Sequence, residues 1–117
     1  GGTLVSGGQE HDAVADLAGL KELDRVIHEP ARLLVLAHLY VVESADSTFL
    51  VAQTGLTWGN LSSHMTRLEK AGYVEVIKEF VDRKPRTILR LTDDGRSAFR
   101  EYLERMKGPL DALGGLA

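Results

Sequence analysis

The sequence predicts a mainly helical α+β domain in which a two-stranded antiparallel hairpin follows a pair of closely joined helices, with further helices at both termini. Three observations carry this prediction. Apolar residues recur at helical spacing along much of the chain. Two β-forming runs, Tyr73–Val81 and Thr87–Leu91, flank the polar turn Asp82-Arg-Lys-Pro-Arg86. Helix stops and caps at Gly55, Thr57, Gly72 and Thr92 fall at the joints between these segments.

Residues 1–9 are rich in Gly, Ser and Thr, offer little to bury, and are expected to be a disordered or non-native lead. Residues 10–117 form the expected single domain, long enough for one core. From Glu10 to Ile27 the apolar positions Val14, Leu17, Leu20, Leu23, Val26 and Ile27 predict a helix with a break near Gly19. Pro30 suits the first turn of the next helix, Ala31 to about Val42, which is strongly apolar, with Arg32 and His38 at its edges. Ser44-Ala-Asp-Ser47 reads as a turn, with Ser47 capping a short helix Thr48–Thr54 that Gly55 ends. Thr57 then caps a helix running to Gly72. Two helices separated by so short a turn make the helix-turn-helix pattern.

The hairpin follows, its tip carrying Arg83, Lys84 and Arg86, with Pro85 tolerable only at an edge or turn. Thr92 caps a closing helix whose first turn has Asp93 and Asp94 and whose apolar side has Phe99, Tyr102, Leu103 and Met106. Gly108-Pro109 is expected to stop it, leaving a tail with Leu110, Leu113 and Leu116.

Within Thr57–Gly72 the helical period puts Leu61, Met65 and Leu68 on one stripe, with Trp58 and His64 on its flanks. The opposite side shows Gly59, Asn60, Ser63, Thr66, Arg67 and Lys70, with Ser62 at its margin. Short polar side chains permit close approach to base edges, Asn and Arg make paired hydrogen bonds there, and Lys or Arg holds phosphate. Charge agrees with that surface. Residues 1–56 carry three Lys/Arg against eight Asp/Glu, residues 57–90 seven against four, and residues 91–117 four against five. The chain as a whole is at −3, yet the segment with the polar helix and hairpin is at +3.

The run Leu56-Thr-Trp-Gly-Asn-Leu-Ser-Ser-His-Met-Thr-Arg-Leu-Glu-Lys-Ala-Gly-Tyr-Val74, then Lys78–Thr87, then Leu91-Thr-Asp-Asp-Gly-Arg-Ser-Ala-Phe99, resembles the prokaryotic winged helix-turn-helix transcriptional regulators. It looks closest to the small MarR/ArsR-like group of winged-helix DNA-binding domains, over roughly residues 23–103. The resemblance implies a recognition helix over Thr57–Ala71 in the major groove of double-stranded DNA. Its contact residues would be Asn60, Ser62, Ser63, Thr66 and Arg67, beside Thr57, Gly59 and Lys70. Arg83, Lys84 and Arg86 would serve the wing, on phosphates or in the adjacent minor groove. The resemblance also implies a cytoplasmic homodimer held by terminal helices, which gives Val14, Leu17, Leu20, Leu103, Met106, Leu110 and Leu113 a role. The chain departs from the metal-sensing members, having no cysteine and no clustered histidines.

His64, flanking the buried stripe, is expected to be a structural hydrogen-bonding residue rather than a phosphate contact, and Trp58 to anchor its helix on the core, with contact to the DNA backbone as the alternative. An enzyme is not expected: the four histidines are scattered, no Ser/His/Asp set or H-E-x-x-H spacing occurs, and no glycine-rich phosphate loop joins a strand to a helix. No cofactor or metal is expected, no apolar run is long enough to cross a bilayer, and no motif identifies a small-molecule effector. The alternative is a winged helix that mediates protein–protein interaction in a larger assembly, which predicts an apolar or acidic outer face on Thr57–Lys70.

Overall fold

The structure, a computed structural model, describes residues 13–116. The expected disordered lead, residues 1–9, lies outside the described residues, as does the start of the helix expected from Glu10. Two compact units are distinguished, Arg25–Phe99 and the chain ends on either side of it.

The central unit is built on helix α1 (Pro30–Val42), strand β1 (Ser44–Asp46), helix α2 (Ser47–Thr54), helix α3 (Trp58–Lys70), strands β2 (Val74–Val81) and β3 (Lys84–Leu91), and the first turns of helix α4 (Asp93–Gly114). Each boundary has a local cause. Glu29, extended because Pro30 follows it, caps α1 by accepting the Arg32 amide at 2.8 Å. Gly55, at φ 72°, ends α2. The Thr57 hydroxyl accepts the Asn60 amide at 3.1 Å and starts α3. The end of α3 is a Schellman turn: the Gly72 amide bonds the Glu69 carbonyl, the Tyr73 amide bonds the Leu68 carbonyl, and Gly72 takes φ 80°.

The core of this unit comprises Ile27, Val35, Leu36, Leu39, Leu50, Leu61, Leu68 and Leu89, all fully buried. Met65, Val74, Leu91 and Phe99 border them. The predicted stripe Leu61, Met65, Leu68 is thus the buried edge of α3. Tyr40 packs on Phe99 with ring centroids 5.1 Å apart, and the Arg96 guanidinium lies over the Tyr40 ring, 5.0 Å from its centroid.

The sheet has three strands rather than two, all antiparallel, in the order β1-β3-β2. Ser44–Asp46, expected to be a turn, pairs with Ile88–Arg90. A strand of three residues is too short to show alternation, and its partner lies far along the chain. The cap of α2 moves with it: Asp46, not Ser47, accepts the Thr48 amide at 2.8 Å, and Ser47 is the buried first residue of the helix. The hairpin turn is also tighter than expected. Only Asp82 and Arg83 lie outside the strands, both at positive φ, as a two-residue turn matching strand twist requires. Lys84 and Arg86 therefore belong to β3. Pro85 sits in the central strand but beyond the end of β1, where β3 has an open edge.

In the terminal unit the expected helix to Ile27 is replaced by a helical turn over residues 13–16 and a 3-10 helix, Leu17–Glu22, before an extended Leu23. The apolar spacing there, Val14, Leu17, Leu20, Leu23, is three, which matches the 3-10 repeat better than 3.6. Gly19 lies inside the 3-10 helix instead of breaking it. The expected stop at Gly108-Pro109 is overturned as well: α4 continues through a buried Pro109 to Gly114. A proline removes one backbone bond, to the carbonyl of Arg105, and this is outweighed here by burial of its ring beside Gly19.

Candidate nucleic-acid interface

Thr57, Gly59, Asn60, Ser62, Ser63, Thr66, Arg67 and Lys70 are all exposed, along one side of α3 opposite its buried stripe. No acidic side chain occupies the first turn of the helix, while Arg67 and Lys70 occupy the last. Two of the hydroxyls already have work inside the protein. Thr57 serves as the cap, and the Thr66 hydroxyl donates to the Ser62 carbonyl at 3.1 Å. Asn60, Ser62, Ser63, Arg67 and Lys70 make no recorded side-chain bond among the described residues, so their polar groups face solvent.

The helix is seated on α1 through a polar cluster. Arg32 donates from Nε to the Val26 carbonyl at 2.6 Å, and its Nη1 lies 3.2 Å from Nδ1 of His64. The guanidinium has only donors, so Nδ1 accepts and the ring proton sits on Nε2. Glu29 lies 3.7 Å from the same nitrogen. Burial raises the Glu29 carboxyl, but the Arg32 and Ala31 amides and the charge of Arg32 hold it below its ordinary value. His64 is therefore a bonded seat for α3, as its flanking position suggested. Glu29 and Arg32 were not identified from sequence, because the bond that matters joins residues on different helices.

Trp58 corrects the expectation of a core anchor. Its side chain is 53% exposed and lines an open cleft of about 320 Å³. The other walls are the start of α2, at Asp46, Ser47 and Thr48, and the wing, at Pro85, Arg86 and Thr87. As the first residue of α3, Trp58 lies on the flank of the Leu61–Leu68 stripe and faces a cleft shared with the hairpin rather than the core.

The hairpin cations are not equivalent. Arg83, Lys84 and Arg86 are all exposed, but Arg86 donates from Nε to Asp46 at 2.9 Å and ties the wing to the cap of α2. Arg90 is likewise bonded to its cross-strand neighbour Glu75. Arg83 and Lys84 have no recorded ion pair among the described residues. Asp46 would have been legible as the cap from the run Asp-Ser-Thr, where Ser47 competed for the same role.

Thr92 and Gly95 hold the hairpin against α3. The Thr92 hydroxyl donates to the Gly72 carbonyl at 2.6 Å and accepts the Gly95 amide at 2.9 Å. A Cβ on Gly95 would lie 2.1 Å from the Tyr73 carbonyl oxygen.

In the terminal unit Val14, Leu20, Leu103, Leu110 and Leu113 are 40–58% exposed, and Leu17 and Met106 are half-buried. Arg105 bonds both Glu22 and Glu101 beside them. No helix among the described residues is long and apolar enough to cross a membrane.

Residues 31–110 match the family described as winged helix DNA-binding domain. An uncharacterized protein of Methanocaldococcus jannaschii is 34% identical over 79 residues, which span 68% of this chain and 86% of that protein. The solved structure of a transcriptional regulator homologue from Pyrococcus horikoshii superposes with a TM-score of 0.78 at 33% identity, covering 82% of this chain and 97% of that one. BpsR of Bordetella bronchiseptica, whose DNA binding is regulated by 6-hydroxynicotinic acid, shares the fold at 19% identity and a TM-score of 0.64. That match covers 92% of this chain and 82% of BpsR.

Proposed function

Because the chain belongs to the winged helix DNA-binding domain family, we propose that it is a sequence-specific transcriptional regulator. In this reading α3 enters the major groove of duplex DNA, and the wing holds the backbone or the adjacent minor groove. The observation that carries the reading is the outer face of α3: seven exposed small, polar or cationic positions, with Thr57 at the cap, on a helix whose other edge is buried. Asn60, Ser63 and Arg67 supply base-edge hydrogen bonds, with Ser62 and Thr66 beside them. Lys70, Arg83 and Lys84 supply phosphate contacts that weaken with salt. Arg86 acts chiefly by fixing the wing through Asp46.

The active form is a cytoplasmic homodimer joined through Val14, Leu17, Leu20, Leu103, Met106, Leu110 and Leu113, with two recognition helices about 34 Å apart on successive turns of the duplex. A small positive excess on one chain makes the second subunit important to affinity. The protein performs no covalent chemistry in this reading, and no small-molecule effector is assigned to it. An interaction-module role calls for an apolar or acidic face on α3, and the exposed Asn60, Arg67 and Lys70 weigh against it.

The division of labour is testable by replacing Arg67 and Arg83 in duplexes selected from a random pool. Arg67→Ala is expected to cost about 1–3 kcal/mol of discrimination at one base pair, leaving scrambled DNA little affected. Arg83→Gly, which suits the positive φ at that position, is expected to weaken all sequences alike and reduce the salt slope by about 1. The reverse pattern refutes the assignment.

A further inference from the structure

One face of the wing has no task in the fold. In β2 and β3, Val74 and Val76 stand opposite Leu91 and Leu89; Val76 is half-buried and the other three are buried in the core. Because side chains alternate along a strand, the next two rungs, Lys78 opposite Thr87 and Phe80 opposite Pro85, continue that same face outward past the core. Phe80 is 77% exposed, the most exposed aromatic among the described residues, and Val81 beside it is 40% exposed. Pro85 and Thr87 share a cleft with Trp58, so this face is turned toward the N-terminal end of α3, the same side as the proposed reading surface. Lys78 lies one rung away on the same face, Arg83 lies in the turn and Lys84 begins β3, and none has a recorded ion pair among the described residues. An isolated exposed phenylalanine is unremarkable. A ring opposite a proline, close to a two-residue turn, with one cation on its own face and two more at the hairpin tip, suits a partner that is anionic outside and flat and apolar within.

We propose that Phe80 is an apolar wedge that the wing places between base steps of the minor groove, while Lys78, Arg83 and Lys84 hold the flanking phosphates. Inserted side chains of this kind unstack the step they enter. Pyrimidine–purine steps such as TA and CA unstack most readily, so the wedge confers a preference for them without a base-edge hydrogen bond. The proposal rests on the DNA-binding reading and adds a second, shape-dependent source of specificity to it.

The test uses the full chain and duplexes selected from a random pool, with 2-aminopurine placed in turn at each adenine flanking the α3 site. Binding of the wild type is expected to raise 2-aminopurine fluorescence at one or two adjacent positions. Phe80→Ala is expected to abolish that rise and to lose about tenfold in preference for the selected flexible step, within the range one wrong base pair costs. Phe80→Leu, still an apolar wedge, is expected to retain part of both. Tight binding of the wild type with no fluorescence change at any position overturns the wedge and leaves the α3 reading intact. A Phe80→Ala variant that keeps the fluorescence rise also overturns it. If Phe80→Ala instead dissociates dimers and leaves DNA distortion unchanged, Phe80 belongs to a protein interface and the proposal is wrong. Failure of the wild type to bind any duplex removes the wedge together with the reading beneath it.

Discussion

Gly95 is the position at which the fold is least able to accept a side chain. Its would-be Cβ meets the Tyr73 carbonyl oxygen at 2.1 Å and carbon at 2.8 Å, both backbone atoms of the turn that joins α3 to the wing. Backbone cannot rotate aside as a side chain can, so Gly95→Ala must separate α4 from that turn. Loss of about 2–3 kcal/mol is expected in denaturant unfolding, toward the upper part of the range for overpacking. Gly59 makes the contrast. It is also helical, has open space around it, and Gly59→Ala is expected to stabilise by about 0.5–1 kcal/mol through backbone entropy alone. Equal effects of the two substitutions would contradict the packing argument. Position in the sequence was enough to identify Gly55 and Gly72, because each follows a helical run and needs positive φ for a local reason. The need at Gly95 comes from a carbonyl in another element, so no local pattern announces it. The Arg32–His64 bond was equally invisible, although the flank position of His64 was readable from the helical period.

At the scale of elements, the strength of the wing's attachment is set by Asp46. One carboxylate oxygen caps α2 and the other holds Arg86, so a single side chain couples the helix-turn-helix to the hairpin. The Thr48 amide, most of all, keeps the Asp46 carboxyl below its ordinary value; burial opposes this, and the Thr48 hydroxyl and Arg86 add to it. The sign of the linkage follows. A carboxyl lowered in the folded state stabilises fully above its unfolded value of about 3.9, and that contribution is lost as pH falls through the folded value. Asp46→Ala is therefore expected to cost about 1 kcal/mol near neutral pH, as for other helix caps. The difference from wild type should shrink as both are acidified below about pH 4. A difference that stays constant into acid would remove the ionised carboxylate from the account. The helices and the hairpin were legible because their periodicity and caps lie within each segment. β1 was not, since three residues carry no period and its partner is β3. The continuation of α4 through Pro109 was hidden for a related reason: burial against the 3-10 helix overrides a local helix breaker.

For the whole molecule, an acidic chain at −3 concentrates a +3 excess between residues 57 and 90, and the free members of that group lie on α3 and the wing. Arg86 and Arg90 are largely spent on Asp46 and Glu75, which leaves each chain a weaker grip than its sequence count suggests. The proposed dimer, joined through the exposed leucines of the terminal helices, would double the number of phosphate contacts and fix the spacing of two reading helices. The measurement that tests this account most directly is the affinity and stoichiometry of the wild-type chain on a selected duplex and on its scrambled counterpart, across a range of salt. Two chains are expected per selected duplex, binding at least about 10³-fold tighter than to scrambled DNA. The affinity for both is expected to fall as salt rises. Equal affinity for the two duplexes, or no binding to either at low salt, would contradict it.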